Sequence, residues 1–249
     1  MVAGLAEGRG TSLSRVEFAK RIDYTLLRVT ATTSEIDQLC DEALRFDFWS
    51  VCVAPYNVRR AADNLEGSGV KVCAVVGFPL GFDTASIKLA EAVKAIEDGA
   101  DEVDIVMNIG AFESGDHDVV LNEIGSVAQF CHANSKLLKV IIECCYLTDD
   151  EKAKAAMLAE LAGADFVKTS TGTGPGGATV EDVRLLRSSL QPRTRIKAAG
   201  GIGTLEKALS MITAGADRVG TSSGVKIMSE WPATADSRIV VGPKPSGKT

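Results

Sequence analysis

Short apolar runs alternate with amphipathic segments along most of the chain. The runs are rich in β-branched residues and are about four to eight residues long, the length of buried strands. We predict eight strands, at Ile22–Leu27, Ser50–Ala54, Lys71–Phe78, Glu102–Ile109, Leu137–Cys144, Phe166–Thr169, Arg195–Ala199 and Arg218–Thr221. The segments between them carry apolar residues at helical spacing, so the pattern predicts strands and helices in regular alternation.

The tripeptide Gly-Ala-Asp occurs three times, each time directly before one of these strands. The copies begin at Gly99, Gly163 and Gly215. Glycine adopts a left-handed backbone conformation at little cost, so each copy predicts the end of a helix. The residues five positions after these glycines are Asp104, Lys168 and Gly220. One place in a repeated unit therefore carries an acid, then an amine, then no side chain.

Alternation of eight strands with helices predicts a parallel sheet that closes into a single-domain (β/α)8 TIM barrel. The length of 249 residues fits this fold, and no internal linker rich in Pro, Gly or Ser divides the chain. We place the barrel at residues 13–235. Residues 1–12 are predicted to be a frayed N-terminus and residues 236–249 a flexible tail.

Strands of such a barrel are buried on both faces, so a charge inside one needs an explanation. Side chains of one parity face the helices, and those of the other parity face the lumen. Five charged residues and one cysteine share the lumenal parity: Cys52, Asp104, Lys139, Glu143, Lys168 and Lys197. Most of them lie toward the carboxyl ends of their strands, where barrel enzymes place their active sites.

Lys168 and Lys197 are the strongest chemical signal. Burial of a lysine in the lumen is costly unless the ammonium group is paired. A second ammonium group nearby repels the first and makes it easier for one of the two lysines to lose its proton. A neutral lysine amine attacks a carbonyl carbon and forms a Schiff base, and Asp104 is placed to move protons. The alternative is a buried ion network in which the lysines only neutralise Asp104 and Glu143.

Glycines and hydroxyl residues follow the last strands, where barrels commonly bind phosphate. Their backbone amides and hydroxyls predict a phosphate site, although tight turns and helix caps use the same residue types. The candidates are Gly172, Thr173, Gly200, Gly201, Gly220, Ser222 and Ser223. Cys52 joins the substrate-binding candidates because its parity is lumenal; a packed core thiol is the alternative.

Composition narrows the classes of partner and cofactor. A net charge of −6 argues against nucleic-acid binding, and no apolar run approaches the ~18 residues of a membrane span. The six cysteines form no C-x-x-C spacing and the first ten residues lack an apolar stretch, which indicates a reducing, cytoplasmic compartment without a signal peptide. His117 and His132 lie far apart, so we expect neither a metal nor a cofactor.

Five motifs resemble the deoxyribose-phosphate aldolase family. They are Gly77-Phe78-Pro79-Leu80-Gly81, Asp101-Glu102-Val103-Asp104, Val167-Lys168-Thr169-Ser170-Thr171-Gly172, Lys197-Ala198-Ala199-Gly200-Gly201-Ile202 and Gly220-Thr221-Ser222-Ser223. The resemblance implies a Schiff base on Lys168, adjusted by Lys197, with Asp104 as proton donor and acceptor. The implied reaction is reversible cleavage of 2-deoxy-D-ribose 5-phosphate to D-glyceraldehyde 3-phosphate and acetaldehyde.

Three departures from the family pattern are visible. Thr173 stands where a basic or aromatic residue is common, Tyr24 replaces a common histidine, and the last residues lack a tyrosine that some members have. The resemblance implies small phosphorylated aldehydes as substrates and a homodimer as assembly. Two alternatives stay open: another lysine-dependent aldolase or transaldolase, and a catalytically silent barrel that binds a partner.

Overall fold

A computed structural model describes residues 11–232 and 237–242. The strands in this part of the chain are β1 Thr11–Leu13, β2 Ile22–Leu26, β3 Ser50–Val53, β4 Lys71–Val76, β5 Glu102–Val106, β6 Leu137–Ile141, β7 Phe166–Lys168, β8 Arg195–Ala199, β9 Arg218–Thr221 and β10 Ile239–Val241. Strands β2 to β9 are parallel and close into a barrel in chain order. The predicted (β/α)8 barrel is confirmed.

Helices follow the barrel strands and cover the outside of the sheet. They are α1 Arg15–Ala19, α2 Thr33–Phe46, α3 Val58–Asn64, α4 Ala85–Glu97, α5 Ile109–Glu113, α6 His117–Ala133, α7 Asp149–Leu161, α8 Val180–Ser189, α9 Leu205–Ala214 and α10 Gly224–Ser229, with 3-10 turns at Pro55–Asn57 and Cys144–Tyr146. The hydroxyls of Thr32, Thr148 and Thr204 accept amide hydrogen bonds from the first turns of α2, α7 and α9. These caps satisfy amides that lack a partner within the helix.

The Gly-Ala-Asp repeats explain how helices end and strands begin. Gly99, Gly163 and Gly215 have φ of 103°, 97° and 121°, which favours glycine at each helix end. The following aspartates accept a backbone N–H from the second residue of the preceding strand: Val72 to Asp101 at 3.2 Å, Leu138 to Asp165 at 2.8 Å and Ile196 to Asp217 at 2.9 Å. Each repeat thus ties β5, β7 or β9 to the strand before it.

The two faces of the barrel strands have different surroundings. Apolar residues of the parity opposite to the lumenal set, such as Val51, Val103 and Val140, lie in the main hydrophobic core. A separate small cluster of Cys52, Cys73 and Val75 lies apart from that core. The parity predicted from the sequence is therefore confirmed for these residues within the strands.

The ends of the described chain pair with each other. Strand β1 runs antiparallel to β10, with Leu13 opposite Ile239. Frayed and flexible ends were predicted for residues 1–12 and 236–249, and that prediction does not hold at residues 11–12 and 239–241. The prolines and glycines near the C-terminus indicated a flexible tail, although β10 itself is rich in β-branched residues. Of these two predicted ends, residues 1–10, 236 and 243–249 lie outside the described residues. No helix in the described part is long and apolar enough to cross a membrane.

A buried ion pair joins α4 and α6 to the turn after β4. Lys88 Nζ lies 2.7 Å from Glu123 Oε1 and donates to the carbonyl oxygens of Gly81 at 2.6 Å and Val106 at 2.8 Å. Burial lowers the pKa of Lys88 and raises that of Glu123. The pair fixes the turn that follows β4 against the end of β5.

We expect Lys88→Met to lower the free energy of unfolding by about 3–5 kcal/mol, because Glu123 would remain buried without its cation. Lys94→Met is the matched control, since Lys94 lies on the same helix and its pair with Asp98 is exposed; it should change stability by less than about 1 kcal/mol. Urea unfolding measures both. If both variants lose the same free energy of unfolding, the buried Lys88–Glu123 pair does not stabilise the fold more than an exposed pair does.

Candidate active site

The carboxylate of Asp104 lies in the lumen and binds three ammonium groups. Its Oδ2 is 2.8 Å from Lys168 Nζ and 2.9 Å from Lys197 Nζ. Its Oδ1 is 2.8 Å from Lys139 Nζ. Burial alone would raise the pKa of Asp104, but the three lysines lower it well below its usual range. Asp104 is therefore ionised at neutral pH.

Two further carboxylates, those of Asp23 and Glu102, pair with two of these three cations. Asp23 Oδ2 is 2.6 Å from Lys197 Nζ, and Glu102 Oε2 is 2.6 Å from Lys139 Nζ. Arg218 reaches both carboxylates, at 2.7 Å from Glu102 Oε2 and 3.3 Å from Asp23 Oδ1. A buried ion network is thus present around Asp104, and it includes Asp23, Glu102 and Arg218, which the sequence analysis did not assign to it.

The lumenal charge cluster has one positive charge in excess when every group is ionised. Its members, all buried, are the acids Asp23, Glu102 and Asp104 and the bases Lys139, Lys168, Lys197 and Arg218. Burial lowers the pKa of Lys139, Lys197 and Arg218, but their carboxylate partners raise it above the ordinary value. Lys168 contacts one carboxylate, that of Asp104, whereas the other three bases each contact at least two.

Lys168 also faces the substrate-sized cavity of the barrel. The cavity has a volume of about 780 Å³, and Lys168 lines it. All seven residues predicted to bind phosphate line it too: Gly172, Thr173, Gly200, Gly201, Gly220, Ser222 and Ser223. Asp104 contacts both Lys168 and Lys197 within the lumen. The structure therefore brings the predicted catalytic and phosphate groups to one end of the barrel.

Glycines allow the loops at this end to approach closely. Gly200 and Gly201 have φ of 94° and 68°, a left-handed conformation. A Cβ on Gly177 would lie 2.4 Å from the carbonyl oxygen of Gly200, so the loops after β7 and β8 touch through bare backbone. A Cβ on Gly220 would lie 3.0 Å from Lys197 Cε. The missing side chain in the third Gly-Ala-Asp unit leaves room for Lys197.

The prediction that Glu143 lies within a strand is wrong, because β6 ends at Ile141 and Glu143 follows it. Its φ of 51° is left-handed, and its buried carboxylate accepts the N–H of Thr171 at 3.2 Å as well as the Thr171 hydroxyl. No ion pair joins it to a lysine in the described part of the chain. The lysines thus neutralise Asp104 but not Glu143, because the left-handed turn directs Glu143 to the loop that follows Lys168.

Cys52 lies in the lumen beside Cys73, its register partner across β3 and β4. Both thiols are buried, and Cys73 Sγ is 3.1 Å from Asp104 Oδ1. The hydrogen bond from Cys73 lowers the pKa of Cys52 to about 7. Cys52 does not belong to the cavity wall that the seven phosphate candidates form. The structure therefore separates it from the predicted phosphate site.

Cys52, Cys73 and Asp104 have a potential ligand atom each within 4.8 Å of one another. Both carboxylate oxygens of Asp104 already bind ammonium groups, and the surrounding cluster has excess positive charge. A divalent cation would compete with these lysines and meet their repulsion. The donor set suits an ammonium network better than a metal centre.

Sequence reasoning missed part of this cluster. Asp23 lies inside a predicted strand and Arg218 begins another, and each is buried. A charge within a buried strand was the signal used for Asp104, and it applies equally to Asp23 and Glu102. Glu102 also shares the parity of Asp104 on the same strand, which would have found it.

Comparisons with known proteins agree with this geometry. A sequence profile described as DeoC/LacD family aldolase matches residues 9–230. A deoxyribose-phosphate aldolase of Thermococcus kodakarensis is 54% identical over 222 residues, which cover 88% of this chain and 99% of that protein. A deoxyribose-phosphate aldolase of Brevibacillus brevis is 54% identical over 210 residues, 84% of this chain and 94% of that one.

A solved structure is similar as well. The tetrameric deoxyribose phosphate aldolase from Aeropyrum pernix is 34% identical, with a TM-score of 0.83 and coverage of 88% of this chain and 93% of that one. Sequence and fold therefore point to the same group of proteins.

The charge balance of the lumen predicts opposite effects of two substitutions on stability. Lys168→Met leaves three cations with three carboxylates, so the free energy of unfolding should stay equal or rise. Asp104→Asn leaves four cations with two carboxylates and should lower it by about 3–5 kcal/mol. Urea unfolding at pH 7 measures both. A loss in Lys168→Met as large as that in Asp104→Asn would contradict the charge count.

Proposed function

This chain belongs to the DeoC/LacD aldolase family, which makes it a carbon–carbon lyase, and we propose that it acts through a Schiff base on Lys168. Its reaction is the reversible cleavage of 2-deoxy-D-ribose 5-phosphate to D-glyceraldehyde 3-phosphate and acetaldehyde. The observation that carries the proposal is the position of Lys168. It faces the cavity and contacts a single carboxylate, within a cluster that has one positive charge in excess.

Loss of the Lys168 proton leaves the charge cluster neutral, and the free amine then attacks C1 of the open-chain sugar. Expulsion of water from the carbinolamine gives an iminium ion. The C3 hydroxyl releases its proton and the C2–C3 bond breaks. C3 becomes the carbonyl carbon of D-glyceraldehyde 3-phosphate, which leaves, and the electron pair of the broken bond moves into an enamine. Protonation of C2 and hydrolysis of the imine then release acetaldehyde and restore Lys168.

Asp104 and Lys197 are proposed to move the protons that these steps require. Asp104 Oδ2 lies within 2.9 Å of both Lys168 Nζ and Lys197 Nζ, so a single carboxylate oxygen connects the two amines. Asp23 holds Lys197 in place at 2.6 Å. The carboxylate accepts a proton from one amine and returns it to a neighbouring group without large movement.

The phosphate of the substrate is proposed to bind where the loops after β7, β8 and β9 meet. Backbone amides of Gly200, Gly201 and Gly220 and the hydroxyls of Ser222 and Ser223 support this placement, because all of them line the cavity that Lys168 faces. Amides and hydroxyls are the usual ligands of a phosphate group in such barrels.

The compartment and the metabolic role are proposed with the reaction. Six free thiols support a reducing, cytoplasmic compartment, and the substrate supports a role in deoxyribonucleotide breakdown.

A homodimer is proposed as the assembly. It is supported by large exposed apolar side chains after the neighbouring strands β3 and β4, namely Tyr56, Leu80 and Phe82. The relative from Aeropyrum pernix is a tetramer, and light scattering distinguishes the two assemblies.

Sodium borohydride with acetaldehyde should reduce the imine and leave an ethyl group on Lys168, because this amine faces the cavity. Peptide mass mapping locates the adduct. Lys168→Met should lose both the adduct and turnover while remaining folded. An ethyl group on Lys197 or Lys139 would contradict the assignment, whatever the activity.

Lys197→Leu and Asp104→Asn should fail in different ways. Loss of the Lys197 ammonium makes it harder for Lys168 to release its proton, so the acidic limb of the pH–rate profile should move up by about one unit. Asp104→Asn removes a carboxylate that favours the ammonium form, so trapping should persist while turnover falls about 10²–10⁴-fold.

The pH–rate profile and the yield of trapped adduct measure this difference at a temperature where both variants are folded. Part of the Lys197→Leu activity should return at high pH. The proposed roles are wrong if Asp104→Asn abolishes trapping while Lys197→Leu leaves the profile unmoved.

A further inference from the structure

A sugar phosphate carries close to two negative charges at neutral pH, and backbone amides alone balance them poorly. The basic residues in the cavity wall are Arg28 and Lys168. Arg28 is paired with Glu35 at 2.5 Å, and Lys168 forms the proposed Schiff base. Thr173, in the loop after β7, is neutral. A further cation just outside the wall would add to the binding that these amides and hydroxyls supply.

Lys207 is in position to supply it. Lys207 lies in the first turn of α9, where its N–H donates to Thr204 Oγ1 at 3.2 Å. Side chains of a helix point back toward its N-terminus, which here means toward the loop after β8. Lys207 Nζ lies 3.4 Å from the position that a Cβ on Gly201 would occupy, and Gly201 lines the cavity.

Lys207 has no carboxylate within ion-pair distance among residues 11–232 and 237–242. The nearby Glu230 accepts the N–H of Leu205 at 2.6 Å and lies 4.0 Å from Lys226 Nζ. A Cβ on Gly203 would lie 3.8 Å from Ser223 Oγ, so this loop brings the serine hydroxyl near the same glycines. Within the described residues Lys207 is therefore a cation without an ion-pair partner, and it lies beside the glycine loop of the proposed phosphate site.

We propose that Lys207 is the cation that binds the 5-phosphate and gives the site its preference for phosphorylated substrates. This inference rests on the proposed function, since it assigns a residue to the phosphate site of that reaction. Lys207 acts on binding and takes no part in the chemical steps at Lys168. In this role its ammonium group contacts the phosphate oxygens beside Gly201.

Lys207→Met tests the proposal, with Lys154→Met as the matched control because Lys154 is an exposed lysine on α7, outside the cavity wall. We expect KM for deoxyribose 5-phosphate to rise about tenfold or more in Lys207→Met, with kcat unchanged. KM for unphosphorylated 2-deoxyribose should change less than about twofold. Lys207→Arg should retain most of the affinity, since the charge is kept.

Equal changes on both substrates, or no change on either, would overturn the role of Lys207. Binding of inorganic phosphate, measured by calorimetry, separates this outcome from failure of the proposed function. If the wild type binds phosphate but does not cleave deoxyribose 5-phosphate, the function fails while Lys207 is still tested. Phosphate affinity that is equal in Lys207→Met and Lys154→Met would reject the site itself.

Discussion

The carboxylate of Asp104 is the group on which the lumen depends. It binds three ammonium groups from three consecutive strands, β6, β7 and β8, and each bond is shorter than 3 Å. A buried carboxylate is costly unless it is paired, and buried lysines are costly for the same reason. Asp104 therefore makes it possible for the barrel to keep amines inside. Because the cluster has one more base than acid, it can release one proton without creating an uncompensated charge.

The repeated unit of the barrel explains how that arrangement arose in this sequence. Each Gly-Ala-Asp unit ends a helix, ties a strand to the strand before it, and presents a lumenal residue five positions after its glycine. The three lumenal residues do different work: Asp104 gathers the cations, Lys168 faces the cavity, and Gly220 leaves space for Lys197. Equivalent backbone positions thus supply unlike chemistry within one repeated strand and helix arrangement.

Alternation of strands with helices predicted the barrel. Strand parity predicted the lumenal lysines and Asp104, because alternation of side chains is a property of each strand alone. It could not predict which partner each charge finds. Asp23 contacts Lys197 across the lumen, and that contact depends on the register of strands far apart in sequence. Glu143 has lumenal parity, yet a left-handed turn after β6 directs it to Thr171. The contact between Lys207 and the glycine loop depends on how α9 enters from that loop, which periodicity does not encode.

The central claim is that Lys168 is the amine of the charge cluster that loses its proton. This claim connects the lumen to the phosphate loops. A crystal structure of the protein after borohydride reduction with deoxyribose 5-phosphate tests it most directly. The account predicts a covalent bond from Lys168 Nζ to C1 of the sugar, with Asp104 in contact with that nitrogen and the phosphate against Gly201 and Ser223. A bond to Lys197 or Lys139, or a phosphate at another end of the cavity, would contradict it.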